Sequence, residues 1–277
     1  MYHEQIHLKN HFPFLGESEC DPILTAYLPY NSTQMNRQDQ LRPSILLCPG
    51  GGYEMVSQRE AEPIALHFLP EGFNVFVLTY SVAPHGFPVQ LREVAAAMEL
   101  IYQNARCWNV NTQQIAIMGF SAGGHLAAHY STSYDCAEVR EIFPESKPVQ
   151  ASILCYPVIT SYGKQCHQGS FRKLVGHFPL TEKEDEKFSC HRQVSDSTPP
   201  AFLWHTAADA AVPVANSLLY AQALSDHNIP FSLHIYPSGP HGLATVDKQT
   251  NGELSPATLL AADWLPSLKK WLQIIFE

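Results

Sequence analysis

The sequence predicts an α/β protein: a mostly parallel central sheet with helices on both faces and a small cap inserted at residues 158–198. Three observations carry this expectation. Short apolar runs alternate with segments whose apolar residues recur at helical spacing, the pattern of strands joined by crossover helices. Most of these runs are continuously apolar rather than alternating, as strands covered on both faces require. One run, Ile115-Ala-Ile-Met118, breaks at once into Gly119-Phe-Ser-Ala-Gly123, where a buried strand turns sharply into a helix rich in small residues.

In order along the chain, residues 1–30 alternate weakly, are broken by Pro13, Gly16, Pro22 and Pro29, and read as an antiparallel edge pair. Residues 31–43 are polar and aperiodic, a surface loop. Ser44-Ile-Leu-Leu-Cys48 is a buried strand that runs into Pro49-Gly-Gly-Gly-Tyr53. A helix is expected over 58–70 with Ile64, Ala65, Phe68 and Leu69 inward, then a strand at Asn74–Tyr80. After a proline-containing loop, Leu91, Val94, Ala95, Met98 and Ile101 mark a helix over 89–106. The strand before Gly119 and a helix reaching about Tyr134 follow, then a strand at Ala151–Pro157. Residues 158–198 lose the rhythm; within them Thr181 and Glu184 have the spacing of a capping box. Strand 201–206, a helix over 214–227 with Val214, Leu218, Ala221 and Leu224, and strand 231–236 resume it. A last helix from Pro256 is expected to bury Leu260, Trp264, Leu268, Trp271 and Leu272.

Composition narrows the function. With 277 residues and 45% hydrophobic content, one domain spanning 1–277 can bury a single large core. The net charge is −9 and the 17 Lys and Arg residues form no cluster, which excludes a phosphate-tracking surface and so a nucleic-acid partner. The N-terminus shows no basic-then-apolar signal and no run approaches membrane-spanning length, so the expectation is a soluble, cytoplasmic protein with no membrane partner. Cys20, Cys48, Cys107, Cys136, Cys155, Cys166 and Cys190 are odd in number and lack framework spacing, which suits free thiols, mostly in the core. The adjacent pairs Cys166-His167 and Cys190-His191 are the metal candidates, but neighbours in sequence rarely point at one ion; neither a metal nor a cofactor is expected. A monomer and a homodimer both remain open.

Gly119-Phe-Ser121-Ala-Gly123 fits the G-x-S-x-G nucleophile elbow, in which a strained turn holds the serine oxygen clear of the backbone. A serine hydroxyl is a weak nucleophile at neutral pH and needs a base, which in turn needs an acid to orient it. Asp209 and His241 each lie in a turn just past a predicted strand, and the order Ser121, Asp209, His241 is that of α/β-hydrolases. His85 is the rival base, and Asp196 and Asp226 are rival acids. The glycines after Cys48 let N–H groups converge, so Gly51, Gly52 and Ala122 are expected to hold an oxyanion. Tyr53, Phe120, Tyr156 and Val212, with Tyr162 nearby, are the candidate pocket lining.

Taken together, Pro49-Gly-Gly-Gly-Tyr53, Gly119-Phe-Ser-Ala-Gly-Gly124, His205-Thr-Ala-Ala-Asp209 with Val212-Pro213, and His241-Gly242 resemble the bacterial carboxylesterase branch of the α/β-hydrolases. That branch is similar to hormone-sensitive-lipase-like esterases and is often labelled sugar-ester or acetyl-xylan esterase. Two positions depart from it: Pro49 replaces the usual histidine before the glycines, and Thr206 stands where glycine commonly follows the histidine. The resemblance implies a serine carboxylesterase acting on short, above all acetyl, esters of sugars, with a small-molecule ester as its partner. The same triad also serves small-amide hydrolases of the formamidase kind, and a hydrolase fold can survive as a non-catalytic binding protein.

Overall fold

The strands are β1 (Tyr2–His7), β2 (Ile23–Leu28), β3 (Arg42–Cys48), β4 (Asn74–Thr79), β5 (Val110–Phe120), β6 (Ala151–Cys155), β7 (Ala201–Thr206) and β8 (Phe231–Tyr236). The computed structural model describes residues 1–17 and 21–277, so Cys20 lies outside the described residues. The strands form one sheet in the order β1-β2-β4-β3-β5-β6-β7-β8. β1 and β2 are antiparallel, as are β2 and β4, and every pairing from β4 through β8 is parallel. This is the α/β-hydrolase architecture.

Strand periodicity decides which layer each side chain enters. In β3, Leu46 packs in one apolar cluster while Ile45 and Leu47 pack in the other; in β5, Ile115 and Ile117 oppose Ala116 and Met118 in the same way. The first layer is completed by helices α2 (Val89–Gln103), α3 (Ser121–Ser133) and α6 (Ala215–Asp226), the second by α1 (Glu62–Phe68) and α7 (Trp264–Ile275). α2 buries Leu91, Val94, Ala95, Met98 and Ile101, the stripe read from the sequence.

Three helices differ from expectation. The segment 58–70 is split: a 3₁₀ turn occupies Gln58–Glu60, Ala61 adopts φ −109° and ψ −106°, and α1 starts only at Glu62 with a proline in its first turn. The break turns Glu60 inward. In α6 the buried stripe is Ser217, Tyr220, Ala221 and Leu224, whereas Leu218 is exposed. Two positions along a helix turn it by about 200°, so Leu218 faces away from Tyr220. The C-terminal segment is a single turn at Pro256–Leu259, a 3₁₀ turn at Leu260–Asp263 and then α7; Leu260 is exposed and Trp271 half-buried, while Trp264, Leu268 and Leu272 are buried.

Residues 158–198 hold helices α4 (Gln168–Val175) and α5 (Glu182–Phe188) between short 3₁₀ turns. The capping box of α5 is formed: Thr181 Oγ1 accepts the Glu184 N–H, and the Glu184 carboxylate accepts the Thr181 N–H at 2.8 Å. Asn216 of α6 fastens the segment to the body, its Oδ1 accepting the N–H groups of Ile159 and Thr160 and its Nδ2 donating to the Gln165 carbonyl.

Candidate active site

β3 and β5 are neighbours, but the chain leaves β3 toward β4 and leaves β5 toward β6. Beyond their carboxyl ends the crossovers diverge and leave a crevice, the place where open α/β sheets bind ligands. Ser121 sits at that point, immediately after β5 and at the start of α3. Its φ of 54° is a left-handed value that serine adopts only under constraint. The constraint is close packing behind it: a Cβ on Gly123 would lie 2.2 Å from the Cys48 carbonyl oxygen and 2.3 Å from that of Pro49. Only glycine lets α3 approach β3 so nearly.

The serine hydroxyl and His241 Nε2 are 2.7 Å apart, and His241 Nδ1 and Asp209 Oδ2 are 2.6 Å apart. An ionised carboxylate only accepts, so Nδ1 carries the proton and Nε2 is left to accept from Ser121. Asp209 is fixed from every side. Its Oδ1 accepts the N–H groups of Ala211 and Val212, both at 2.9 Å. His205, fully buried, lies with Nε2 2.9 Å from the Val212 carbonyl and 3.3 Å from Asp209 Oδ2, while its Nδ1 faces the Ser217 hydroxyl at 2.8 Å. Burial pushes the Asp209 carboxyl up, but hydrogen bonds from His205 and His241, the His241 charge and the Val212 N–H outweigh it and hold the group well below the usual carboxylate range. Thr206, the departure noted in the sequence, donates its hydroxyl to the Gly239 carbonyl at 2.8 Å and so joins the turn after β7 to the turn that carries His241.

The rival acids are engaged elsewhere: Asp196 faces His227 on the surface and Asp226 accepts from Gln222. The rival base His85 is not among the residues that line the cleft beside Ser121. His125 and His129 are buried on α3, where burial pushes them down to about 4 and about 3.

Gly51 and Gly52 line the cleft beside Ser121. Gly51 has φ +125°, and a Cβ there would lie 2.0 Å from the Met55 carbonyl oxygen. Among the described residues, the N–H groups of Gly51 and Gly52 make no hydrogen bond to the protein. Ala122, in the first turn of α3, has an N–H with no partner within its own helix.

The aromatic pocket expected from the sequence is not formed by those residues. Tyr53, Phe120, Tyr156 and Val212 are all buried core, and Tyr162 is exposed at the surface. Phe120 continues the face of β5 that carries Ala116 and Met118, so strand alternation sends it into the second layer. Tyr53 directs its hydroxyl to His125 Nδ1 at 2.8 Å. The cleft beside the triad, about 510 Å³, is instead walled by Glu54, Met55, Ser57, Arg59, Glu60 and His167. Arg59 and Glu60 carry no signal in the sequence, because a charged pair before an apolar helix looks like a solvated first turn. His167, a metal candidate in the sequence, has its Nδ1 2.8 Å from the Ser170 hydroxyl. Among the described residues, no group of three or more His, Cys, Asp or Glu side chains is gathered as metal ligands, and no helix is long and apolar enough to cross a membrane.

The BD-FAE family model matches residues 30–224. The chain is 36% identical over 258 residues to endo-1,4-beta-xylanase B of Butyrivibrio fibrisolvens, covering 90% of this chain and 39% of that protein. It is 35% identical over 204 residues to the acetylxylan esterase of Xylanibacter ruminicola, covering 72% of this chain and 40% of that protein. The chain thus spans about two fifths of the length of these two relatives. Among solved structures, an acetyl ester-xyloside bifunctional hydrolase from Caldicellulosiruptor lactoaceticus superposes with a TM-score of 0.83 at 34% identity, covering 98% of this chain and 96% of that one.

Proposed function

The chain belongs to the BD-FAE family, on the esterase branch of the α/β-hydrolases, and from that premise we propose that it is a serine esterase removing short acyl groups, acetyl above all, from sugar hydroxyls such as those of xylo-oligosaccharides. The observation that carries the reading is the continuous relay from Ser121 Oγ through His241 to Asp209, with both links under 3 Å, at the mouth of an open cleft.

In this mechanism Ser121 Oγ attacks the ester carbonyl while His241 Nε2 takes its proton. The carbonyl oxygen becomes an oxyanion held by the N–H groups of Gly51, Gly52 and Ala122, each worth about 3 kcal/mol to the transition state. Collapse breaks the carbon–oxygen bond to the sugar, and His241 returns the proton to the leaving alkoxide, giving a free hydroxyl and acetyl-Ser121. Water, deprotonated by the same imidazole, attacks the acyl-enzyme; acetate leaves and Ser121 recovers its proton. Asp209 keeps the imidazole in the required tautomer and stabilises its charged form throughout.

The lining supports the substrate class. Glu54, Ser57, Arg59 and His167 offer charged and hydrogen-bonding groups to a hydroxyl-rich alcohol moiety, whereas Met55 is the one long apolar side chain of the described lining. A wall of that kind favours a short acyl group on a polar leaving group. The test is hydrolysis of p-nitrophenyl esters from acetyl to octanoyl, then of acetylated xylo-oligosaccharides, by wild type and Ser121→Ala. Turnover concentrated at acetyl and reduced by a factor on the order of 10⁵ or more in the variant is expected. Ester turnover that survives the substitution, or none in the wild type, would contradict the proposal.

A further inference from the structure

One buried carboxylate beside the cleft has no part in the mechanism above. Glu60 is only 4% exposed, yet it borders the cleft together with Ser121 and His241. A carboxylate is held in such a place only where donors replace its lost hydration. Here the donors come from two separate parts of the site. Oε2 accepts the N–H of Gly50 at 2.8 Å, and Gly50 immediately precedes the two oxyanion glycines. Oε1 accepts the Tyr156 hydroxyl at 2.7 Å. That hydroxyl oxygen in turn accepts the N–H of Ala244 at 3.0 Å, three residues past His241. The Tyr156 ring also meets the His241 ring edge-on, with centroids 5.0 Å apart. Gly50, Glu60, Tyr156 and Ala244 therefore form one hydrogen-bonded chain from the loop after β3, past the end of β6, to the turn after β8. The fit leaves no slack on the loop side, since a Cβ on Gly50 would lie 2.6 Å from Glu60 Oε2.

The geometry points to Glu60 as a positioning residue that ties the loop presenting the Gly51 and Gly52 N–H groups to the turn presenting His241, and so sets the spacing between oxyanion donors and base. The inference rests on the esterase reading and deepens it. Both carboxylate oxygens face donors, so the ionised form satisfies both contacts, whereas an amide offers one acceptor and turns its NH₂ toward a donor. Burial pushes the Glu60 carboxyl up; the Tyr156 hydroxyl, the Gly50 N–H, the His241 charge and the Ser57 hydroxyl act against that.

The test compares wild type, Glu60→Gln, Tyr156→Phe and the double variant, using p-nitrophenyl acetate turnover and inhibition by an aryl trifluoromethyl ketone, whose adduct with Ser121 carries an oxyanion. Misplaced oxyanion donors weaken the transition state and leave substrate binding alone. The expected result is a kcat loss on the order of 10- to 100-fold with KM changed by less than about twofold, and a ketone Ki raised by the factor lost from kcat/KM. The double variant should be no worse than the poorer single one, because both break the same chain. Single variants with wild-type kcat and Ki overturn the inference while wild-type turnover leaves the esterase reading standing; a wild type inert on every ester sinks the esterase reading first and this one with it. If Glu60→Gln does not fold, Tyr156→Phe, which removes one oxygen, decides the matter by the same criteria. Loss of folding in both makes the chain a structural tie and overturns the positioning role.

Discussion

Asp209 is nearly inaccessible and takes three kinds of donor: two backbone N–H groups, His241 and the buried His205. A carboxylate so surrounded stays ionised, and in the proposed mechanism it orients the base without competing for its proton. Asp209→Asn should therefore lower kcat by a factor on the order of 10⁴ at neutral pH, measured with p-nitrophenyl acetate, since the amide favours the wrong imidazole tautomer. The stability sign follows from the depressed folded pKa: the contribution of Asp209 is complete above the unfolded value near 3.8 and drains away as pH falls below it. The thermal midpoints of wild type and variant should thus converge in acid below about pH 4. At this scale the hydrogen-bonded grouping of Ser121, His241 and Asp209 was legible because each is a reactive type placed just past a strand. Glu60 was not, since its role depends on Gly50 and Tyr156, contacts that no local pattern encodes. The pocket aromatics misled because a residue beside a catalytic group can still follow strand parity into the core.

At the scale of elements, the strands were the most legible part, because continuous apolar runs in a doubly covered sheet have few other places to go. Helix limits were less so: the backbone at Ala61 broke one expected helix, and the phase of α6 was set by packing of Tyr220 rather than by the most apolar reading of the stripe. Between β4 and α2 the structure adds a contact that the sequence did not suggest. The Glu93 carboxylate accepts the Ser81 N–H at 2.7 Å and also the Ser81 hydroxyl, fixing the start of the loop after β4 onto α2. Burial pushes this carboxyl up to about 7 against the opposing pull of Ser81 and Lys9. Its folded pKa lies above the unfolded value of 4.5, so the stability it contributes is full below 4.5 and is lost as pH rises toward 7. Glu93→Gln removes the titration. Urea unfolding at pH 5 and pH 8 should show wild type losing stability relative to the variant by on the order of 3 kcal/mol, and equal pH dependence in the two proteins would contradict the assignment.

Across the whole molecule, the sheet order converts four separate stretches of sequence into one site. The loop after β3, the elbow after β5 and the turns after β7 and β8 all lie at the carboxyl end of the parallel strands, and Thr206, Tyr156 and Arg59 stitch those loops together, the last through a hydrogen bond to the Gly242 carbonyl at 3.2 Å. The ion pair between Lys173 of α4 and Glu54 also crosses from residues 158–198 to the loop after β3. It is largely exposed and adds little energy. What fixes the site is the buried hydrogen-bond framework. Acylation of Ser121 is read by mixing enzyme with p-nitrophenyl acetate, quenching in acid within the first turnover and weighing the digested peptides. One added acetyl group is expected on the peptide containing Ser121, and none on the same peptide of Ser121→Ala. An acetyl group found on another residue, or turnover with no acylated peptide at any quench time, would contradict it.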